Sequence, residues 1–264
     1  MESVTPQYVF TRDRVDNNRW IELFGYRLHP HIPLVGPQHR IADIGTGTGI
    51  WLTDLSTRIP TTVQLDGLDI SLEATPPAQW VPSNVSFFEW DIRQDVPEKL
   101  VGQYDIVHIR LFIFVLLEKE IPGVLQKLTM LLKPGGYLQW DEVDISSLRI
   151  AKAHPDNKIE ALTRPIELSS SQRPVPAWAP KLAGLAESAG LSDINAEKRD
   201  APGYLAFAMH ECNLVLHELM ARATGNEAFA KGLEQLMPEV TEETRKGASW
   251  DFTRWTVVAR RPVQ

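Results

Sequence analysis

From Arg40 onward the chain alternates short apolar runs with longer stretches in which apolar residues recur every three or four positions. Ile41-Ala42-Asp43-Ile44 is such a run, closed by Gly45-Thr46-Gly47-Thr48-Gly49, and an amphipathic stretch follows to Arg58. That order predicts strand, tight loop and helix. Val63 to Ile70, Val85 to Trp90, Tyr104 to Arg110 and Tyr137 to Val143 read as further strands, with Pro76, Pro77 and Pro82 in the connection between the first two. Glu118 to Leu132 reads as a helix stopped by Lys133-Pro134-Gly135-Gly136. Strands alternating with helices or connections imply βαβ units and a parallel sheet.

The flanks are less regular. Residues 1–38 are polar, with a weak helical pattern only around Arg19 to Leu28, and are expected to form a helical arm on a main domain of residues 39–264. Two insertions are expected in that domain, near residues 144–178 and 201–248. The first holds four prolines around a short helix at Asn157 to Leu168; the second carries helical patterns at Tyr204 to Thr224 and Glu227 to Arg245. Between them lie a helix at Pro180 to Ser188 and a strand at Ile194 to Arg199, and Trp250 to Ala259 is the last strand. The insertions would sit beside one edge of the sheet, where they could form a lid.

Composition narrows the classes. With 264 residues, 43% of them apolar and 23% charged, the chain is an ordinary globular one with a sizeable core. A net charge of −7 offers no footprint for a phosphate backbone, so nucleic acid is not an expected partner. The longest apolar stretch, Tyr104 to Leu117, is interrupted by His108 and Arg110 and falls short of the about 20 residues that a bilayer needs. Glu2, Arg12, Asp13 and Arg14 break any secretory pattern at the start, and the single cysteine, Cys212, fits a reducing compartment; a cytoplasmic location is the expectation.

The glycine string carries the chemistry. Glycines at alternate positions let the backbone turn sharply and approach a ligand at a helix start. A dinucleotide loop would need glycine or alanine where Ile50 stands, and a P-loop would need a Gly-Lys-Ser/Thr that is absent nearby. The remaining common ligand is S-adenosylmethionine, which needs close backbone approach but no phosphate cradle. Asp69 ends the second strand, placed to accept from both ribose hydroxyls. Asp91 follows the third, placed to accept from the adenine amino group with Ile92 against the ring. An acid after a strand also caps turns, so their weight comes from standing together behind the glycine loop.

Ile41-Ala42-Asp43-Ile44-Gly45-Thr46-Gly47-Thr48-Gly49, Leu68-Asp69-Ile70-Ser71, Trp90-Asp91-Ile92, Tyr104 to Arg110 and Leu132-Lys133-Pro134-Gly135-Gly136-Tyr137 together resemble the class I S-adenosylmethionine-dependent methyltransferases. The resemblance implies an α/β, Rossmann-like seven-stranded sheet, mostly parallel with an antiparallel last strand. It also implies S-adenosylmethionine as cofactor and S-adenosylhomocysteine as product. Asp43, Gly45, Gly47, Gly49, Asp69, Ile70, Asp91, Ile92 and Arg110 are then cofactor-binding candidates. Gly45 to Trp51, Gln64 to Ile70 and Leu138-Gln139-Trp140-Asp141-Glu142 resemble more narrowly the small-molecule methyltransferases of fungal secondary metabolism, and among them the diketopiperazine N-methyltransferases. Members of that group carry several more residues, including a Gln-His pair, between the equivalents of Arg19 and Trp20. Because similar enzymes close the cofactor pocket with an N-terminal helix, Tyr8 and Arg19 become candidates for the methionine carboxylate.

Glu142, at the carboxyl edge of the fifth strand, is the candidate polar contact or base at the acceptor, with Asp141 on the opposite face. His108 is expected in the core, His29 and His31 in a loop, and His210 and His217 on a partly exposed helix surface. No metal is expected. The implied activity is N-methylation of a ring-containing small molecule, by a monomer or homodimer without membrane partners. O- or S-methylation, or a regulator or scaffold that binds the cofactor without turnover, are the alternatives.

Overall fold

The computed structural model describes residues 6–33, 36–172, 175–223 and 227–263. Helix α1 (Pro6–Phe24) precedes β1 (Arg40–Ile44), α2 (Ile50–Ser56), β2 (Gln64–Asp69), β3 (Val85–Glu89), β4 (Tyr104–Arg110), α3 (Ile121–Leu131) and β5 (Leu132–Lys152). Then come α4 (Glu160–Gln172), α5 (Leu182–Ser188), β6 (Ser192–Asp200), α6 (Gly203–Ala223), α7 (Glu227–Arg245) and β7 (Ala248–Arg260).

The seven strands form one sheet in the order β3-β2-β1-β4-β5-β7-β6, and β3, β2, β1, β4 and β5 are parallel neighbours. Strand β7 runs antiparallel to β5: Arg261 exchanges backbone bonds with Gly135 and Gly136 at one end, and Gly247 accepts from Ala153 at the other. Strand order reverses between β1 and β4, the place where open α/β sheets leave a crevice at their carboxyl ends.

Two compact units divide the chain. The sheet unit comprises residues 24–144, 176–198 and 254–264. Its core joins Ile41 of β1, Leu65 of β2, Val85 of β3, Ile106 of β4 and Val258 of β7 to Trp51, Leu52 and Leu55 of α2. Buried on both faces, these strands read as continuous apolar runs, as the sequence pattern requires. The helical unit comprises residues 1–23, 145–175 and 199–253. There α7 packs against α4 and α6, and the Trp250 indole donates to the Leu162 carbonyl at 2.9 Å. The segment from Phe24 groups with the sheet unit, where Arg27 pairs with Asp54 and the His29 amide donates to Gln139.

Two elements differ from the pattern. Helix α1 starts at Pro6 rather than near Arg19; among its described side chains Asn17, Trp20, Leu23 and Phe24, toward its end, are the buried ones. Strand β5 begins five residues early and runs nine beyond Val143. Gly135 does not stop it; at φ +80° it pairs with β7, and cross-strand bonds rather than an apolar pattern carry the far end to Lys152. Among the described residues no helix is long and apolar enough to cross a membrane.

Candidate active site

The loop between β1 and α2 is built on three left-handed residues, Gly45 (φ +66°), Gly47 (φ +54°) and Gly49 (φ +69°). Side chains rarely adopt that region, and at Gly45 and Gly49 there is also no room for them. A Cβ on Gly49 would stand 2.5 Å from the Phe87 ring, and one on Gly45 would run into the ring of Phe112. The loop is tied to the end of β2: the amides of Gly45 and Thr46 donate to the Leu68 carbonyl at 2.7 and 3.2 Å, and the Gly47 amide donates to Asp69 Oδ2 at 2.8 Å. Asp69 therefore stands at the loop, half-buried, with its Oδ1 3.5 Å from the Ser71 amide. Beside it Ile70 is 67% exposed, a large apolar side chain with no cover of its own.

Asp43 points inward. It is buried, accepts from the Thr46 hydroxyl at 2.8 Å and lies 2.7 Å from His108 Nδ1. Its expected ligand contact is corrected to an internal one, because both carboxylate oxygens are taken up by the protein. Asp91 is half-buried and accepts from the Arg93 amide at 2.9 Å. Lys127 holds the same turn by donating to the carbonyls of Ile92 and Arg93, while Arg93 reaches Glu120 and the Val115 carbonyl. Ile92 is only 5% exposed; among the apolar candidates Ile70, not Ile92, presents open surface for a ring.

At the end of β4, Arg110 is half-buried and stands opposite Asp141 of β5 in register. The next residue, Leu111, has φ +62°, an uncommon state for leucine that persists only where neighbours enforce it. The enforcers are on β5: the Asp141 carbonyl accepts from the Leu111 amide at 3.1 Å, and Glu142 Oε2 accepts from the Phe112 amide at 2.8 Å. Glu142 also accepts from its neighbour Val143 at 3.0 Å and from the Trp140 indole at 3.3 Å. The Ile113 amide is a further donor to it. Fully enclosed, Glu142 has its pKa pushed up to about 8 by burial, against the pull of these N–H donors. A general base needs reach to the proton that it removes, and a sealed carboxyl ringed by backbone donors has none. The expected contact with the acceptor is thus corrected: Glu142 holds the Leu111 turn that sets Phe112 against Gly45.

The arm candidates belong to the helical unit. Arg19 Nη1 pairs with Glu22 at 2.7 Å within α1, and the side chain of Tyr8 lies outside the described residues. The side chain of His217 also lies outside them. His210 is not on a partly exposed surface; it is enclosed, with the Trp250 amide donating to its Nδ1 at 3.2 Å and Thr244 2.9 Å from its Nε2. Its expected surface position fails because Trp250 packs edge-on against it at 5.0 Å. Among the described residues, no three His, Cys, Asp or Glu side chains group as metal ligands.

Sequence reasoning missed the Leu111 turn, and no residue type signals it, since leucine disfavours that conformation. It also missed the interior bonding of Asp43, for which the spacing of Asp43 and Thr46 across a tight loop is the one available hint.

The sheet order, glycine loop and strand-end acids coincide with a known family. Residues 41–136 match the family described as a methyltransferase domain. Over those residues the chain is similar to methyltransferase domains. The chain is 40% identical over 147 residues to methyltransferase grgD of a Penicillium species, a match covering 52% of this chain and 51% of that protein. It is 31% identical over 176 residues to N-methyltransferase tcpN of Claviceps purpurea, covering 66% of this chain and 62% of that one. The chain thus spans about half to three-fifths of the length of these relatives. The solved structure of Haemonchus contortus phosphoethanolamine N-methyltransferase 2, complexed with phosphomonomethylethanolamine and S-adenosylhomocysteine, shares the fold. It matches with a TM-score of 0.58 at 15% identity over 99% of this chain and 59% of that one.

Proposed function

We propose that this protein is an S-adenosylmethionine-dependent methyltransferase that methylates nitrogen in a small, ring-containing secondary metabolite of the diketopiperazine kind. The observation that carries the reading is the loop of Gly45, Gly47 and Gly49, bare of side chains and tied to Asp69, with exposed Ile70 next to it. These residues fit the cofactor. The glycines let the backbone approach its amino acid part, Asp69 accepts from the ribose hydroxyls, Ile70 covers one face of the adenine, and Asp91 accepts from the adenine amino group. Arg110, at the end of β4, is assigned to the methionine side. When bound, the cofactor would supply an electrophilic methyl group on a sulfonium, open to in-line attack by the acceptor nitrogen, with the C–S bond breaking to give the neutral thioether S-adenosylhomocysteine and the nitrogen's proton passing to solvent.

Nitrogen is favoured because the relative tcpN is an N-methyltransferase and the sequence motifs resemble that group. With Glu142 enclosed, catalysis in this reading rests on holding donor and acceptor in near-attack geometry and assigns no base role to that residue. The protein is placed in the cytoplasm, where its one cysteine, the buried thiol Cys212, raised to about 11 by burial, stays reduced.

Asp69→Ala tests the site. Loss of a charged acceptor should weaken S-adenosylmethionine binding by about 1.5 to 3 kcal/mol in calorimetry. Unchanged affinity removes Asp69 from the site, and a wild-type protein that binds neither cofactor nor product refutes the function. Mass spectrometry and NMR of the product with diketopiperazine, amine, phenol and thiol acceptors locate the new methyl group; a methyl on oxygen or sulfur overturns the nitrogen assignment.

A further inference from the structure

His108 occupies the middle of the sheet with both ring nitrogens facing carboxylates. Its Nδ1 lies 2.7 Å from Asp43 Oδ1 on β1, and its Nε2 lies 3.1 Å from Asp141 Oδ2 on β5. Its ring stacks flat on Trp51 of α2, with centroids 3.8 Å apart and planes within 1°. An ionised carboxylate only accepts, and neutral imidazole carries one N–H. The imidazolium alone supplies a donor to each side. A neutral ring would leave one carboxylate facing a lone pair in an enclosed site, a costly contact that one partner relieves by moving.

The consequence reaches the glycine loop through Asp43, whose other oxygen accepts from the Thr46 hydroxyl at 2.8 Å. Thr46 in turn fills the space beside Gly67, where an added Cβ would lie 2.8 Å from its methyl group. On the far side Asp141 is held by the Thr256 hydroxyl of β7 at 2.8 Å and by the neutral Gln139 amide. Two other titratable groups lie near Asp141. Burial raises the Tyr26 pKa, keeping it a phenol, and burial lowers that of His29, keeping it neutral; both meet Glu197 of β6. Glu142, beside Asp141 in sequence, also titrates, at about 8, but its oxygens face Phe112, Val143 and Trp140, and wild type, His108→Asn and Asp141→Asn all share it. Of the groups that face Asp43 and Asp141, His108 is the one whose proton changes as pH rises.

We propose that His108, as an imidazolium clamped between Asp43 and Asp141, is a positioning residue for the cofactor loop and makes cofactor affinity depend on its proton. This rests on the reading that Gly45 to Gly49 holds S-adenosylmethionine. Burial opposes the charge on His108 and the two carboxylates outweigh it, so its pKa lies above the ordinary 6.5. Loop order is thus complete while His108 keeps its proton and is lost as pH rises through the raised value.

Calorimetry with S-adenosylhomocysteine, on wild type, His108→Asn and Asp141→Asn between pH 6 and 10, tests this. The ligand's own amino group titrates alike in all three, so the comparison isolates the protein. Wild type should lose affinity by about 10-fold or more through a midpoint above the ordinary 6.5 of histidine, the scale of a charged hydrogen bond. His108→Asn should bind about that much more weakly at pH 7 and lack the midpoint. Asp141→Asn should move the midpoint down, which a merely structural role for His108 would not do. Nitrogen NMR of wild type, independent of any variant's folding, should show both His108 ring nitrogens protonated at pH 7. A single-proton pattern there, equal affinity in His108→Asn, or a midpoint unmoved in Asp141→Asn overturns the proposal. Failure of wild type to bind the ligand at neutral pH would instead sink the cofactor reading itself.

Discussion

His108 in the sheet unit and His210 in the helical unit are both enclosed, yet their surroundings are of opposite chemistry. His108 meets two carboxylates, one on each nitrogen. His210 meets an amide that donates to Nδ1 and a threonine hydroxyl that itself donates to the Val240 carbonyl, so a neutral ring with its proton on Nε2 satisfies every group. The sheet unit stores charge beside the loop assigned to the cofactor; the helical unit uses the same side chain as a neutral bracket. A buried histidine is therefore informative only through the groups that face it. In the sheet unit acceptors face both ring nitrogens, and in the helical unit a donor faces one of them.

The largest expected effect tests the neutral side. His210→Leu removes the acceptor of the Trp250 amide and leaves that N–H enclosed without a partner, while the altered shape disturbs the packing on Trp250. Together these should destabilise the protein by about 2 to 4 kcal/mol in urea unfolding, the scale of an unsatisfied donor with imperfect repacking. The deficit should be equal at pH 7.5 and pH 9. A deficit that changes with pH over that range would mean that His210 carries charge, and the contrast with His108 would fail.

A second test uses the other enclosed titratable group of the sheet unit. Because the Glu142 pKa is raised from 4.5 to about 8 by burial, the folded protein keeps a proton that the unfolded chain has already lost. Its contribution to stability is complete below pH 4.5 and is lost as pH rises through about 8. Glu142→Gln turns an NH2 group toward the amide of either Phe112 or Val143, which donate to different carboxyl oxygens, and should cost about 1 to 3 kcal/mol near pH 6. The gap to wild type should then narrow toward pH 9, as wild type alone loses its proton. A gap constant from pH 5 to pH 9 would show that Glu142 titrates alike folded and unfolded.

The strands around β1 were legible because each is a short apolar run closed by glycine or an acid, and two-sided burial demands that pattern. Gly45, Gly47 and Gly49 were legible as a ligand loop for a related reason: positive φ and absent side chains are properties of the residue type. Glu142 was not. A carboxyl at a strand end faces a ligand or a turn according to what lies across from it, and the decisive partners, Phe112 and Trp140, come together only when β4 and β5 pair. His210 was misread because a histidine on an amphipathic helix looks like surface until the strand carrying Trp250 is placed beside it. The far end of β5 was invisible because Ser146, Ser147 and Arg149 are strand residues only through their pairing with β7.

The smallest expected effect separates open surface from these enclosed clusters. Ile70 follows Asp69 directly and is 67% exposed, so replacing it removes little packing from the folded protein. An exposed isoleucine alone says nothing, since single apolar side chains on a surface are ordinary. Its meaning comes from its place beside the carboxylate that touches Gly47. If the adenine ring lies on it, binding buries much of that side chain, and full burial of an isoleucine is worth about 1.5 to 3 kcal/mol. Ile70→Ser should then weaken S-adenosylmethionine binding by about 1 kcal/mol, since burial there is partial. Stability should stay within about 0.5 kcal/mol of wild type, as for a surface change. That split is the opposite of the one expected for His210→Leu, where stability falls first. Calorimetry and urea unfolding on the same preparation read both quantities. Affinity equal to wild type would take Ile70 out of the adenine site and leave Asp69 and the glycine loop to carry the cofactor reading alone.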